Sequence, residues 1–291
     1  MIFIASIAMN KFIPYNLTIK GRETLISRPL VMGILNVTPD SFYGDSRCDA
    51  ESKIIQRVEQ LITNRADIID IGGYSSRPGA QDVSPDEEYS RLAMALRIIR
   101  GISHDIIVSV DTFRADVAKR CVLDWGADII NDISGGTLDS EMFHTVAQLH
   151  TPYVLMHMRG NPATMSQLTQ YNNVTTDVIA DLSTKVNELQ NLGVSDIIID
   201  PGFGFGKTTA QNFEMLAHLD SFHSLGKPIL VGVSRKSMIY KTLQCSPETA
   251  LNGTTILNTI ALSQGAHILR VHDVREAAEA ITLTETTFNP Q

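Results

Sequence analysis

Long apolar runs are missing from this 291-residue chain, and no stretch approaches the length of a membrane span. Cysteine is scarce. Cys48, Cys121 and Cys245 stand alone, with no CxxC pair, and an odd count is a poor basis for a disulfide framework. A reducing, cytoplasmic setting is therefore expected. Basic residues are outnumbered, with 24 Lys and Arg against 32 Asp and Glu, for a net charge of −8. That balance argues against non-specific binding to nucleic acid or an anionic membrane. It leaves room for an anionic ligand held by local basic side chains. No HExxH and no Cys/His cluster with zinc spacing is present. The N-terminal MIFIASIAMNKF is apolar, but its apolar part is short and no basic segment precedes it. An N-terminal extension is expected there, not a signal peptide.

What is present is a repeated alternation. Eight apolar runs of strand length end in polar residues or glycine, each followed by a helical stretch: VMGILNV from Val31, IIDIGG from Ile68, IIVSVD from Ile106, IINDIS from Ile129, YVLMHM from Tyr153, IIIDPG from Ile197, PILVGVS from Pro228 and ILRVHD from Ile268. This is the pattern of a (β/α)₈ TIM barrel, whose chemistry lies at the C-terminal rim of the strands. Residues 30–291 are expected to form that single domain. Residues 1–29 are expected to form an extension and a short β-hairpin, with Leu17–Ile19 and Thr24–Ile26 flanking Lys20-Gly21-Arg22 and capping the barrel bottom. Ile54, Val58, Leu61 and Ile62 mark one face of a helix over Ser52–Arg65. Ser84-Pro85-Asp86-Glu87 reads as a helix start, and Asn172 to Leu192, closed by Gly193, is the longest helix expected. Asp139 and Pro247 begin further helical stretches. The irregular segments Thr38–Glu51, Tyr74–Ser84 and Arg159–Tyr171 each follow a strand and become rim loops.

Side chains alternate along a strand, so residues two apart share a face. Ser109 and Asp111 fall together, as do Arg270 and His272, while Val108, Val110, Leu269 and Val271 face the helices. Asn36, Asp111, Asn131, His157, Asp200, Lys236, Arg270 and His272 are thereby able to converge at one barrel mouth. Each has an ordinary explanation taken alone. A strand-end Asp or Asn is as often a turn former or cap, a lone His is more often a satisfied core residue, and a lone Lys or Arg sits at the surface. Gathered at one mouth they would cost roughly 1–3 kcal/mol per unpaired group, unless they pair with each other or with a ligand.

Asp200-Pro201-Gly202-Phe203-Gly204-Phe205-Gly206-Lys207-Thr208 looks at first like a phosphate loop, but Pro201 stands where a Walker motif needs glycine. The glycines are expected to turn the loop beside a flat ligand, with Phe205 as an apolar wall and Lys207 as a solvated surface charge. Asn36 and Asp40 offer oxygen ligands of the type Mg²⁺ prefers.

With these motifs in hand the chain resembles the dihydropteroate synthase family. Asn36-Val37-Thr38-Pro39-Asp40-Ser41-Phe42 is similar to that family's first loop and Gly72-Gly73-Tyr74-Ser75-Ser76-Arg77-Pro78-Gly79 to its second. Ser109–Thr112, Asn131-Asp132, Leu155–Met158, Asp200–Lys207, Ser234–Ser237 and Arg270–Asp273 continue the match in order. The resemblance implies a transferase of folate biosynthesis, the sulfonamide target, which joins 7,8-dihydropterin-6-ylmethyl diphosphate to p-aminobenzoate and releases pyrophosphate. By the same resemblance Asp111, Asn131, Asp200, Lys236 and Arg270 bind the pterin. Asp111, Asp200, Lys236 and Arg270 are the catalytic set. Asn36, Arg77, Arg270 and His272 hold the diphosphate, with Mg²⁺ at Asn36. Phe42, Ser76, Pro78, Phe205, Lys236 and Ser237 form the p-aminobenzoate pocket.

An S_N1-like path is implied, with no protein nucleophile, as is a homodimer built through late helices; Ile256-Leu257 and Ile260-Ala261-Leu262 are compatible with that contact and equally with packing on the barrel. The alternative within the same barrel class is a methyltetrahydrofolate-binding corrinoid methyltransferase domain, which needs neither a diphosphate nor a p-aminobenzoate site. Three departures from the family pattern fall in the loops: Ser76 replaces Thr, Tyr74 replaces Glu, and Tyr43-Gly44-Asp45-Ser46 replaces Ser-Asp-Gly-Gly.

Overall fold

The structure is a computed structural model that describes residues 12–38, 47–74 and 83–288. It begins with an antiparallel hairpin, β1 (Tyr15–Ile19) and β2 (Arg22–Ile26), in which Ile19 pairs with Arg22. The two residues between them, Lys20 and Gly21, have φ of 52° and 71°. Two successive positive φ values are what a tight turn between right-twisted strands needs.

Eight parallel strands follow: β3 (Leu30–Asn36), β4 (Ile68–Gly72), β5 (Ile107–Asp111), β6 (Ile129–Asp132), β7 (Tyr153–Met156), β8 (Ile197–Asp200), β9 (Leu230–Val231) and β10 (Ile268–Val271). They pair in the order β8-β7-β6-β5-β4-β3-β10-β9. A parallel bridge between Ile199 and Ile229 joins the two ends and closes the TIM barrel. Each strand falls on an apolar run seen in the sequence, β3 starting one residue earlier at Leu30. β9 is cut to two residues because the chain turns early, with Lys236 N–H donating to Val233 O at 3.1 Å.

Helices pack outside the barrel: α1 (Arg47–Thr63), α2 (Pro85–Ile102), α3 (Ala115–Trp125), α4 (Met142–Leu149), α5 (Val174–Asn191), α6 (Thr209–Ala217), α7 (Ser237–Thr242), α8 (Leu251–Ser263) and α9 (Val274–Phe288). Ile54, Val58 and Leu61 are fully buried on the inner face of α1. The Ser84 hydroxyl caps α2 by accepting from Glu87 N, with Pro85 at the first helical position. The cap of α5 is Asn173, one residue beyond the expected start, because its side chain accepts from Thr176 N at 2.9 Å. Asp139 stands ahead of α4, accepting from Ala115 N and Glu141 N. Pro247 opens a 3₁₀ turn before α8. No helix among the described residues is long and apolar enough to cross a membrane.

The barrel interior is stratified. At its lower end, Leu30, Met32, Ile68, Ile129, Val154, Ile198, Leu230 and Ile268 form one buried cluster, with Ile107 partly buried against it. Leu17, Ile19 and Ile26 of the hairpin close this cluster from below, as the sequence pattern suggested. Fully burying a side chain of this size stabilises by roughly 1.5–3 kcal/mol, so the plug is a principal anchor of the fold. Val108, Val110, Leu269 and Val271 belong to the separate outer core against the helices.

Candidate active site

Two residues further along the same strands, the interior becomes polar. Asp70 lies above Ile68, Ser109 and Asp111 above Ile107, Asn131 above Ile129, Asp200 above Ile198 and Arg270 above Ile268. Arg270 Nε donates to Asp70 Oδ2 at 2.7 Å, and its Nη2 donates to Asp111 Oδ2 at 2.6 Å. Asn131 Nδ2 donates to the same Asp70 oxygen at 3.1 Å. Asp70 is completely buried, and its Oδ1 and the neighbouring Ser109 hydroxyl have no hydrogen-bond partner.

Burial pushes the Asp111 carboxyl well above the ordinary carboxylate range, although Arg270 opposes the shift; the nearby Asp70 charge adds to it. Burial alone would lower the Arg270 guanidinium, but Asp70 and Asp111 outweigh it and hold the charge in place. Asp70 is the residue that sequence reasoning missed. Its one signal is a carboxylate set between isoleucines in the run IIDIGG, where an inward side chain needs a cation.

The facing wall is built by the glycine loop and the turn after β9. Asp200 Oδ1 accepts from Gly202 N at 2.7 Å. Its pKa is raised by burial, against the opposing pull of Lys236, Gly202 N–H and Arg270. Lys236 Nζ donates to Phe203 O at 2.5 Å and lies 4.7 Å from the centre of the Phe205 ring. Burial lowers Lys236 to about 8, with Asp200 opposing. Phe205 packs with Ile133, Met156, Met158 and Met165 in an apolar patch beside these charges.

Lys207 is not the solvated charge its sequence suggests. It is buried, and its Nζ donates to Gly202 O at 2.9 Å, Phe205 O at 2.9 Å and His157 Nδ1 at 3.0 Å. The glycine turns wrap the loop around the ammonium and carry it inward. His157 is accordingly held beneath this loop instead of joining the central cluster; burial and the adjacent Lys207 push its imidazole down to about 2.

At the rim, the Ser234 hydroxyl accepts from His272 N at 3.2 Å and lies 3.0 Å from His272 Nδ1. Burial and the Arg270 charge lower His272 to about 4, so this ring is neutral near pH 7. Arg235, at φ 54°, pairs through Nε and Nη2 with Asp273 at 2.9 and 2.8 Å and donates to Pro247 O and Glu248 O. It ties the turn holding Lys236 and Ser237 to the end of β10. Ser237 is the first residue of α7.

Asn36 ends β3 with its Oδ1 close over Gly72, 3.2 Å from where a Cβ would stand. Tyr74 meets the Phe113 ring edge-on at 5.2 Å, with Arg114 over both rings. Phe42, Ser76, Arg77 and Pro78, together with Asp40 and Asp45, lie outside the described residues. Among the described residues, no three His, Cys, Asp or Glu side chains gather in a metal-binding group.

Comparison with known proteins agrees with this geometry. The family model described as "Pterin binding enzyme" matches residues 32–272. A dihydropteroate synthase from Synechocystis is 43% identical over 264 residues, covering 90% of this chain and 91% of the relative. This chain belongs to the dihydropteroate synthase family of pterin-binding enzymes. Solved members of the family share its fold. The Yersinia pestis synthase, crystallised with a sulfonamide drug complex, superposes with a TM-score of 0.87 at 37% identity, covering 95% of this chain and all of that one. The Xanthomonas albilineans synthase in complex with 7,8-dihydropteroate gives 0.84 at 33% identity, covering 95% of this chain and 100% of that one.

Proposed function

We propose that the chain catalyses the dihydropteroate synthase reaction, condensing 7,8-dihydropterin-6-ylmethyl diphosphate with p-aminobenzoate to give 7,8-dihydropteroate and pyrophosphate. The observation that carries this reading is the buried network of Arg270, Asp70, Asp111 and Asn131 facing Asp200 and Lys236. A pterin offers a row of donors and acceptors on one edge and a flat π-face, and this mouth offers a complementary edge beside an apolar patch. Asp111, Asn131 and Asp200 read the pterin edge. Asp200 gives one oxygen to Gly202 N, which leaves the other to accept from the 2-amino and ring N–H groups. Lys236 binds the ring carbonyl or a ring nitrogen. Arg270, fixed edgewise by two carboxylates, presents its planar face for stacking.

Asn36, Arg77, Arg270 and His272 hold the diphosphate. Phe42, Ser76, Pro78, Phe205, Lys236 and Ser237 enclose p-aminobenzoate. The bond from the pterin methylene to oxygen breaks first, and the electron-rich ring stabilises the cation. The neutral aryl amine then attacks that carbon and loses a proton. The protein contributes position, fixed charge and exclusion of water. Asn36, at the end of β3, supplies one oxygen of the kind Mg²⁺ takes. When bound, Mg²⁺ supplies neutralisation of the departing pyrophosphate.

We also take residues 30–291 as one pterin-binding domain preceded by an extension and hairpin, and the cytoplasm as the compartment. Ile256 and Ile260 are exposed on α8 while Leu257, Ala261 and Leu262 are buried beneath them. That apolar outer face supports a homodimer. The reaction is tested by pyrophosphate release with each substrate alone and with both. Release that requires p-aminobenzoate and yields dihydropteroate is expected, with suppression by a sulfonamide. Methyl transfer from methyltetrahydrofolate, without pyrophosphate release, would replace this reading with the methyltransferase one.

A further inference from the structure

We propose that Lys207 is a positioning residue, a buried ammonium around which the Asp200–Lys207 loop is wound so that Asp200 and the Phe205–Lys236 wall face the substrates together. The inference rests on the functional reading above for what the two walls bind, but its geometry stands on its own. An ammonium carries three protons and no acceptor. At Lys207 they meet Gly202 O, Phe205 O and His157 Nδ1, at 2.9, 2.9 and 3.0 Å. All three partners accept at once, and only the protonated lysine has three N–H donors to give them; burial lowers this ammonium to about 7, with the Asp200 charge opposing. The imidazole takes part as an acceptor because its burial keeps it neutral.

The loop needs such a centre. Gly202, Gly204 and Gly206 have φ of 71°, 82° and 61°, so the backbone there has little preference of its own and gives up much freedom on ordering. Lys207 fixes the residues on either side of Gly204. Asn212 of α6 fixes Gly204 itself, its Oδ1 accepting from Gly204 N at 2.6 Å. The fit is tight: a Cβ on Gly202 would stand 2.0 Å from His157 O.

The held loop has two outputs. Gly202 N–H orients Asp200 at 2.7 Å, and Phe203 O receives the Lys236 ammonium at 2.5 Å with the Phe205 ring alongside. One buried charge therefore sets both the pterin acceptor and the wall against which p-aminobenzoate rests.

The test is Lys207→Met in the intact protein, which keeps length and removes the donors. The KM for p-aminobenzoate is expected to rise at least about tenfold and to exceed the fall in kcat, because positioning is lost while the reacting groups remain. A variant that merely loses folded protein would show lower kcat at unchanged KM, and that result overturns the proposal. In Lys207→Ala, added ethylammonium is expected to restore KM while ethanol does not; equal effects of the two would also overturn it. If neither variant folds, His157→Leu removes one acceptor and is expected to raise the same KM about threefold with kcat held; an unchanged KM contradicts the proposal. Amide exchange of Gly202 to Gly206 gives a readout independent of turnover. Faster exchange in the Lys207 variant is expected even if the wild-type chain proves inactive, which would count against the reaction and not against the clamp. Unaltered exchange would sink the clamp whatever the activity.

Discussion

The lower and upper halves of the barrel interior are made by the same strands and differ by two residues. Ile68 and Asp70, Ile129 and Asn131, Ile198 and Asp200, and Ile268 and Arg270 each pair an apolar side chain below with a polar one above. Below, the side chains need only fill space, and the hairpin residues Leu17, Ile19 and Ile26 seal them from water. Above, the interior carries Asp70, Asp111 and Asp200 against Arg270 and Lys236. Such a cluster keeps its charge only because its members neutralise one another, and Asp70 Oδ1 and the Ser109 hydroxyl go unpaired. The comparison teaches where each kind of cost falls. The plug supplies stability without chemistry, and the mouth accepts buried charge so that a polar heterocycle finds fixed partners.

The largest effect should come from the charge at the centre of the upper half. Arg270→Ala leaves Asp70 and Asp111 buried without their cation, and breaking a buried pair this way costs about 3–5 kcal/mol. Chemical denaturation should report that loss, and turnover should fall by at least about 10²-fold. A variant with near-normal stability would show that the network is not held as a unit. Ile68→Ala makes the contrast directly, since it cuts the plug one pleat below Asp70. It should cost about 2–5 kcal/mol while leaving the KM of the folded fraction unchanged. A changed KM would mean that the two halves are not separable.

The smaller effect is a pH dependence that belongs to the lower half. His267 is buried next to the hairpin, accepts from Ile229 N at 2.9 Å and faces the His223 ring at 5.4 Å. Burial, with His223 adding, lowers it to about 4 from 6.5. Folding therefore favours the neutral ring. Its contribution is complete above the unfolded value near 6.5 and is lost progressively as the pH falls toward 4, amounting to about 3 kcal/mol at most. Thermal melts from pH 7 to pH 4.5 should fall less steeply for His267→Gln than for the wild type. Parallel slopes would remove this histidine from the account.

The sequence carried the barrel because its signals are local. Each strand is a short apolar run followed by polar residues or glycine, and period-two alternation sends Arg270 inward and Leu269 outward whatever lies nearby. Lys20-Gly21 likewise announces the hairpin turn through its own backbone needs. Asp70 was not legible, since a single carboxylate inside an apolar strand is explained only by Arg270, two hundred residues away. Lys207 was not legible either. Its partners Gly202 O and Phe205 O are backbone atoms, which no residue type encodes, and the loop path that brings them together is set by tertiary packing. The start of α5 differed by the choice between Asn172 and Asn173, two equivalent caps that only the register of the helix distinguishes.

The central claim is that Asp200 at the end of β8 and Lys236 in the turn after the neighbouring β9 grip one substrate. Dihydropteroate formation by Asp200→Asn and Lys236→Ala measures it most directly. The account predicts a loss of at least about 10²-fold in each, with the fold retained. Turnover close to wild type in both variants would contradict it.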